Sequence, residues 1–243
     1  MRPTPVRPAF NFPPLTPLVK TLLFVLWGCF IAQAVLVVWL DQEWPLLLML
    51  EPVPSVRTAW QLFTYPFLST GDPLAMAISS LFFWWVVSPF EMRFGKPHTL
   101  KLLAVITVLA AIPVLIAGTI LGGGRITIGP LVSVHAHIVG AIAAFAWAHR
   151  FGGTMSIFGM FTLTAKQVIA ALVLWSALYF LATRDITNLL ADIGAVGAGV
   201  FYIERLSRPP KQPKKKSVDR KGLKVIRGGG GGSDDDDPPK WLN

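Results

Sequence analysis

Six long apolar runs constrain this chain more than any other feature. They fall at Val19–Leu40, Pro73–Ser88, Leu102–Leu121, Ile126–Ala148, Val168–Leu181 and Thr187–Ile203. A run of about 18 or more apolar residues can cross the hydrocarbon core as a helix, because lipid offers no partner to an open peptide group. The second and fifth runs are a little short for that task. Across 243 residues only 14% are charged and 53% are hydrophobic, whereas a soluble domain carries about 25% charge. The pattern predicts an all-α, polytopic membrane protein. A six-transmembrane-helix bundle occupies residues 19–206, between an N-terminal segment, 1–18, and a tail, 207–243. The first run is too long for a signal-peptide core, and no cleavage pattern precedes it. Cys29, the single cysteine, lies inside that run; it forms no intramolecular disulfide and reads as a small buried apolar residue.

Charge sets the expected orientation. One side of the bundle collects Arg2, Arg7, Lys20, Arg93, Lys96, Lys101, Arg150, Lys166 and every basic residue from Arg205 onward. Only Arg57, Arg125 and Arg184 fall on the other side. The positive-inside rule therefore places both termini in the cytoplasm. Most of the net charge of +9 is this topology signal. No stacking aromatics or binding motif accompany the basic residues, which argues against a nucleic-acid partner. The partner expected first is the lipid bilayer.

The extracytoplasmic connection, about residues 41–72, carries Trp44, Leu46-Leu47-Leu48-Met49-Leu50 and Trp60. Such a segment can lie at the headgroup interface or form an ordinary amphipathic loop. The tail opens with the basic run Arg208 to Lys216, continues through Gly228 to Gly232, and turns acidic at Asp234 to Asp237. That composition does not fold alone, and its basic part attracts anionic lipid.

Chemistry concentrates in the fourth and sixth runs. Gly129-Pro130-Leu131-Val132-Ser133-Val134-His135-Ala136-His137-Ile138-Val139-Gly140 puts two histidines in an apolar segment, and Leu190-Ala191-Asp192-Ile193-Gly194 adds a carboxylate. Ionisable groups at membrane depth cost a few kcal/mol or more each and suggest function by default.

Four segments, in order, resemble the rhomboid intramembrane proteases. Gln61-Leu62-Phe63-Thr64-Tyr65-Pro66-Phe67-Leu68 with Gly71-Asp72 is similar to the family's W-T-Y-P-F-L-H. Ser88-Pro89-Phe90-Glu91-Met92-Arg93-Phe94-Gly95 is similar to its L-E-x-x-x-G. Phe161-Thr162-Leu163-Thr164-Ala165-Lys166 resembles F-P-I-P-A-K, and Ala191-Asp192-Ile193-Gly194-Ala195 with Gly199 resembles A-H-x-G-G-x-x-x-G. The likeness runs from about Trp60 to Phe201, most of the bundle.

The catalytic residues do not follow. The resemblance implies a serine in G-x-S-G on the fourth helix, activated by a histidine on the sixth. Aligned on Gly140, His135 takes the nucleophile position and Asp192 the base position. Ala75 and Ser79 stand where the family has its oxyanion histidine and asparagine. Since a hydroxyl needs a base, and losing one oxyanion donor typically costs 10²–10³-fold in rate, that mechanism is absent. Ser133 lies about 200° around a helix from His135, so it does not replace the missing group.

If the fold is kept, His135 and Asp192 face one another across the fourth and sixth helices. Three roles then follow for the pair: a polar clasp between helices, a proton relay, or zinc ligation together with His137. The metal role requires a broken helix, because residues two apart diverge. No cofactor is expected, with zinc as the alternative. The expectation is a rhomboid-like pseudoprotease of a bacterial inner membrane, binding transmembrane segments of other proteins or serving as a subunit of a membrane complex. The competing expectation is an active intramembrane hydrolase with an unconventional His–Asp or metal site.

Overall fold

A computed structural model describes residues 13–53, 55, 58–69, 72–121, 128–132, 134–151, 155–157 and 161–207. Ser133, Gly71, Arg57, Arg125, most of the N-terminal segment and the tail beyond Ser207 lie outside the described residues. Among the described residues the regular structure is helical apart from two short paired strands and one isolated bridge. Its α-helices are α1 (Pro17–Ala34), α2 (Gln61–Thr64), α3 (Pro73–Phe94), α4 (Lys96–Leu121), α5 (His135–Ala148), α6 (Ala165–Thr183) and α7 (Thr187–Ser207). Strands Met155–Ile157 and Phe161–Leu163 pair antiparallel before α6.

Four helices are long and apolar enough to cross a membrane: Pro17–Trp39, Pro73–Phe94, Lys96–Ile120 and Ala165–Thr183. The first extends α1 through a π-helical turn, Val35–Trp39. The other two expected spans differ in kind. Among the described residues of Ile126–Ala148, the helix is the 14 residues from His135, a length of about 21 Å against a core of about 30 Å. Thr187–Ser207 has the length at 21 residues but carries Asp192, Glu204 and Arg205.

Helix boundaries follow local chemistry that hydropathy does not register. Helix α3 continues past Ser88 and through Pro89, because Glu91 has partners there and need not face lipid. It is buried, and its carboxylate accepts from Leu18 N at 3.4 Å and Val19 N at 3.3 Å. Glu91 thus supplies the N-terminal cap that α1 lacks, since Thr16 makes no side-chain capping bond. Helix α3 stops at Gly95, whose φ of 81° suits glycine and whose N–H reaches Glu91 O at 2.8 Å. This one residue separates α3 from α4. Helix α6 begins with a reciprocal capping box: Gln167 N donates to Thr164 Oγ1, and Thr164 N donates to Gln167 Oε1.

The ends of the helices gather into two layers. At one end, Arg93 meets His149, His98 meets Tyr202, and Glu204 accepts from Trp147 at 2.9 Å and pairs with Arg150 at 3.1 Å. This joins the C-termini of α3, α5 and α7 to the N-terminus of α4. At the other end, Gly129 N donates to the Thr187 hydroxyl, and Leu50 and Leu131 exchange backbone hydrogen bonds. The first connection is braced there by buried Gln61, which donates to Leu47 O and accepts from Glu51 N. Trp44, Leu46 and Leu47 remain exposed on its outer side.

Helix α7 occupies the centre, and small residues let it. A Cβ on Gly199 would lie 2.3 Å from Gly140 O, and one on Gly194 would lie 2.2 Å from Leu109 O. These are backbone-to-backbone approaches of α7 to α5 and α4, the contact by which helices associate in lipid. Ala191, Ala195 and Ala198 complete the face and are fully buried with Ile106, Ala110 and Val139.

Two outcomes are expected in detergent unfolding. Gly199→Val costs about 1–3 kcal/mol or more and lowers the midpoint, whereas Gly197→Ala, which meets nothing within 4 Å, leaves it in place. Glu91→Ala removes the cap of α1 and costs about 1–2 kcal/mol.

Candidate functional site

Three helices converge on one carboxylate. Asp192 sits on the second turn of α7 beside Ala191 and Ala195, and 4% of its side chain is exposed. Its Oδ2 accepts from the Ser176 hydroxyl of α6 and lies 3.4 Å from His135 Nε2 at the first residue of α5. The His135 side chain is 41% exposed, so the cluster has one open edge, formed by the imidazole. Ser176 is buried and its oxygen also lies 3.0 Å from Leu172 O. Asp192 Oδ1 is buried with no hydrogen-bond partner among the described residues.

The order of these groups decides what they can do. In nucleophilic catalysis by serine, an imidazole stands between the hydroxyl and the carboxylate and takes the proton. Here the carboxylate stands in the middle, with serine on one side and histidine on the other. Ser176 gives its hydrogen bond to a weak base and is closed off from solvent. The arrangement is a polar clasp of α5, α6 and α7. It offsets the cost of burying Asp192 by supplying a hydroxyl and an imidazole.

The oxyanion positions add nothing to this cluster. Ala75 is exposed and Ser79 is half-buried on α3. Among the described residues no hydrogen bond links either to His135 or Asp192. His137 also lies apart. Its Nε2 is 2.8 Å from Thr107 Oγ1 on α4, and its ring stands 6.3 Å from that of Tyr65. Tyr65 in turn donates to Thr107 O at 3.0 Å. The zinc set of His135, His137 and Asp192 is therefore not assembled. Helix α5 is regular from His135 onward, and residues two apart on it point to different neighbours. No group of three or more metal-binding side chains occurs among the described residues.

Sequence reasoning paired His135 with Asp192 and missed Ser176, Thr107 and Tyr65. The available signal was a lone hydroxyl within an apolar run: Ser176 in Val173-Leu174-Trp175-Ser176-Ala177-Leu178, and Thr107 in Val105-Ile106-Thr107-Val108. Hydroxyls are cheap in helices because they bond back to the preceding turn, as both do here, so neither stands out by hydropathy. No protein-family model matches the chain, and no curated protein matches it.

The clasp has a measurable signature. Ser176→Ala and Asp192→Asn each lower unfolding stability, and their double-mutant cycle gives a coupling of about 0.6–1.7 kcal/mol, the range of interhelical hydrogen bonds. Strict additivity would show that the two groups do not act together.

Proposed function

We propose that the chain is a rhomboid-like pseudoprotease that binds transmembrane segments of other membrane proteins or serves as a subunit of a membrane complex. The observation that carries the reading is the placement of Asp192 between Ser176 and His135. A carboxylate in that position leaves Ser176 without an imidazole base, while it ties α6 to α5 and α7, the two helices on which the resemblance places nucleophile and base. The order of the four rhomboid-like segments, from Trp60 to Phe201, supports the family. The burial of Ala191, Ala195 and Gly199 against α4 and α5 supports a retained scaffold. The distribution of basic residues supports cytoplasmic termini in a bacterial inner membrane. Lipid-exposed apolar side chains on α3 and α6, such as Ile78 and Trp175, offer a surface on which a partner helix can pack.

The test uses the purified full-length chain with a transmembrane substrate and a serine-reactive fluorophosphonate. The expected result is no cleavage and no labelling. Benzoylphenylalanine placed at Ile78 or Trp175 in native membranes is expected to crosslink to membrane-spanning peptides. Cleavage that disappears in His135→Ala would overturn the pseudoprotease reading, and crosslinks confined to lipid would overturn the partner-binding one.

A further inference from the structure

Two arginines are held at the end of the bundle where α3 and α5 finish, and only one of them is neutralised. Arg150 lies over the rings of Trp147 and Phe151, at 5.1 and 4.2 Å, and pairs with Glu204 at 3.1 Å. Arg93, in the last turn of α3, stands 5.4 Å from the Phe94 ring and donates to His149 Nε2. The other ring nitrogen fixes this direction. His149 Nδ1 lies 2.7 Å from Phe145 O, which only accepts, so Nδ1 carries the hydrogen and Nε2 offers a lone pair.

Arg93 is therefore oriented by a ring and a lone pair, neither of which cancels its charge. Among the described residues no carboxylate pairs with it. The two described carboxylates at this end are already occupied. Glu91 accepts from Leu18 N and Val19 N, and Glu204 holds Arg150 and Trp147. Arg93 is exposed, and so is Lys96, three residues on at the first position of α4. At most about 11 Å of chain separates their Cα atoms, so both side chains can reach one anion. Helix α3 has 22 residues, a length of about 33 Å. Crossing a core of about 30 Å, it carries Arg93 to the level of the headgroups.

We propose that Arg93, with Lys96, binds the headgroup phosphate of an anionic phospholipid in the leaflet at this end of the bundle. A guanidinium presents paired N–H groups that match two phosphate oxygens, and one already held in place loses less freedom on binding. Position selects a lipid over a free anion. Met92, beside Arg93, is 54% exposed, and Leu100, one turn from Lys96, is 48% exposed, so acyl chains below the phosphate have apolar surface to cover. Net charge selects the class, since a zwitterionic headgroup brings its own cation. The site requires only that the bundle span a bilayer, whatever the relation of the chain to proteases.

The test measures binding of dioctanoyl phosphatidylglycerol to the purified full-length chain in a neutral detergent, beside dioctanoyl phosphatidylcholine and inorganic phosphate. Salt at about 0.5 M screens exposed charges such as those of the tail. Wild type is expected to bind the glycerol lipid saturably and about tenfold more tightly than the choline lipid, and millimolar phosphate is expected not to displace it. Arg93→Gln is expected to weaken the glycerol lipid about tenfold, the effect of one charge-assisted hydrogen bond. Arg205→Gln, and the tail variant Lys214→Gln with Lys215→Gln and Lys216→Gln, are expected to stay within about twofold of wild type. Equal losses across these variants would reveal a diffuse surface charge and overturn the site. Equal binding of the two lipids, or absence of saturable binding, would overturn it too, and displacement by phosphate would assign Arg93 to a free anion instead. The comparison of ligands on wild type stands even where Arg93→Gln fails to fold.

Discussion

The bundle depends on the close approach of α7 to α4 and α5. Lipid tails are as apolar as leucine, so helices gain little from burying large side chains and associate through packing and polar contacts. Gly194 against Leu109 O and Gly199 against Gly140 O bring backbones to distances that no Cβ permits. Once α7 is seated, Asp192 is carried into the interior, where Ser176 and His135 meet it. The same seating brings Glu204 to Trp147 and Arg150, and Thr187 to Gly129. The contacts that α7 makes in both end layers, and the polar clasp, thus follow from one small-residue face.

Burial of a carboxylate gives the central helix a defined rotation. A face of glycine and alanine can slide or turn with little penalty, whereas Asp192 has partners in only one setting. Buried polar groups can specify an arrangement in this way at a cost in stability. The Thr107–His137–Tyr65 contacts do similar work between α4, α5 and the first connection. The two histidines, neighbours in sequence, therefore serve separate parts of the bundle, one at the clasp and one beside Thr107 and Tyr65.

Much of the helical content was legible because hydropathy reports directly on what lipid tolerates. The starts of α3 and α7 agree with the apolar runs, at Pro73 and Thr187. The ends agree less well. Helix α3 runs on to Phe94 because Glu91, which looks like a terminator, is satisfied by the N–H groups of α1. Helix α5 starts at His135, nine residues into its apolar run; upstream, the backbone of Leu131 pairs with Leu50 rather than within a helix. The hairpin before α6 escaped notice because two three-residue strands leave almost no periodicity.

The sequence by itself determined that this chain is helical and apolar enough for a membrane, and that His135, His137 and Asp192 are costly groups within its apolar runs. Tertiary structure decided what those groups face. A hydropathy run has no direction around its axis, so it does not say that Ser176 joins His135 as a partner of Asp192. Nor does it say that His137 turns to Thr107. Those choices depend on the rotation of each helix against its neighbours, which is set by contacts between residues far apart in the chain.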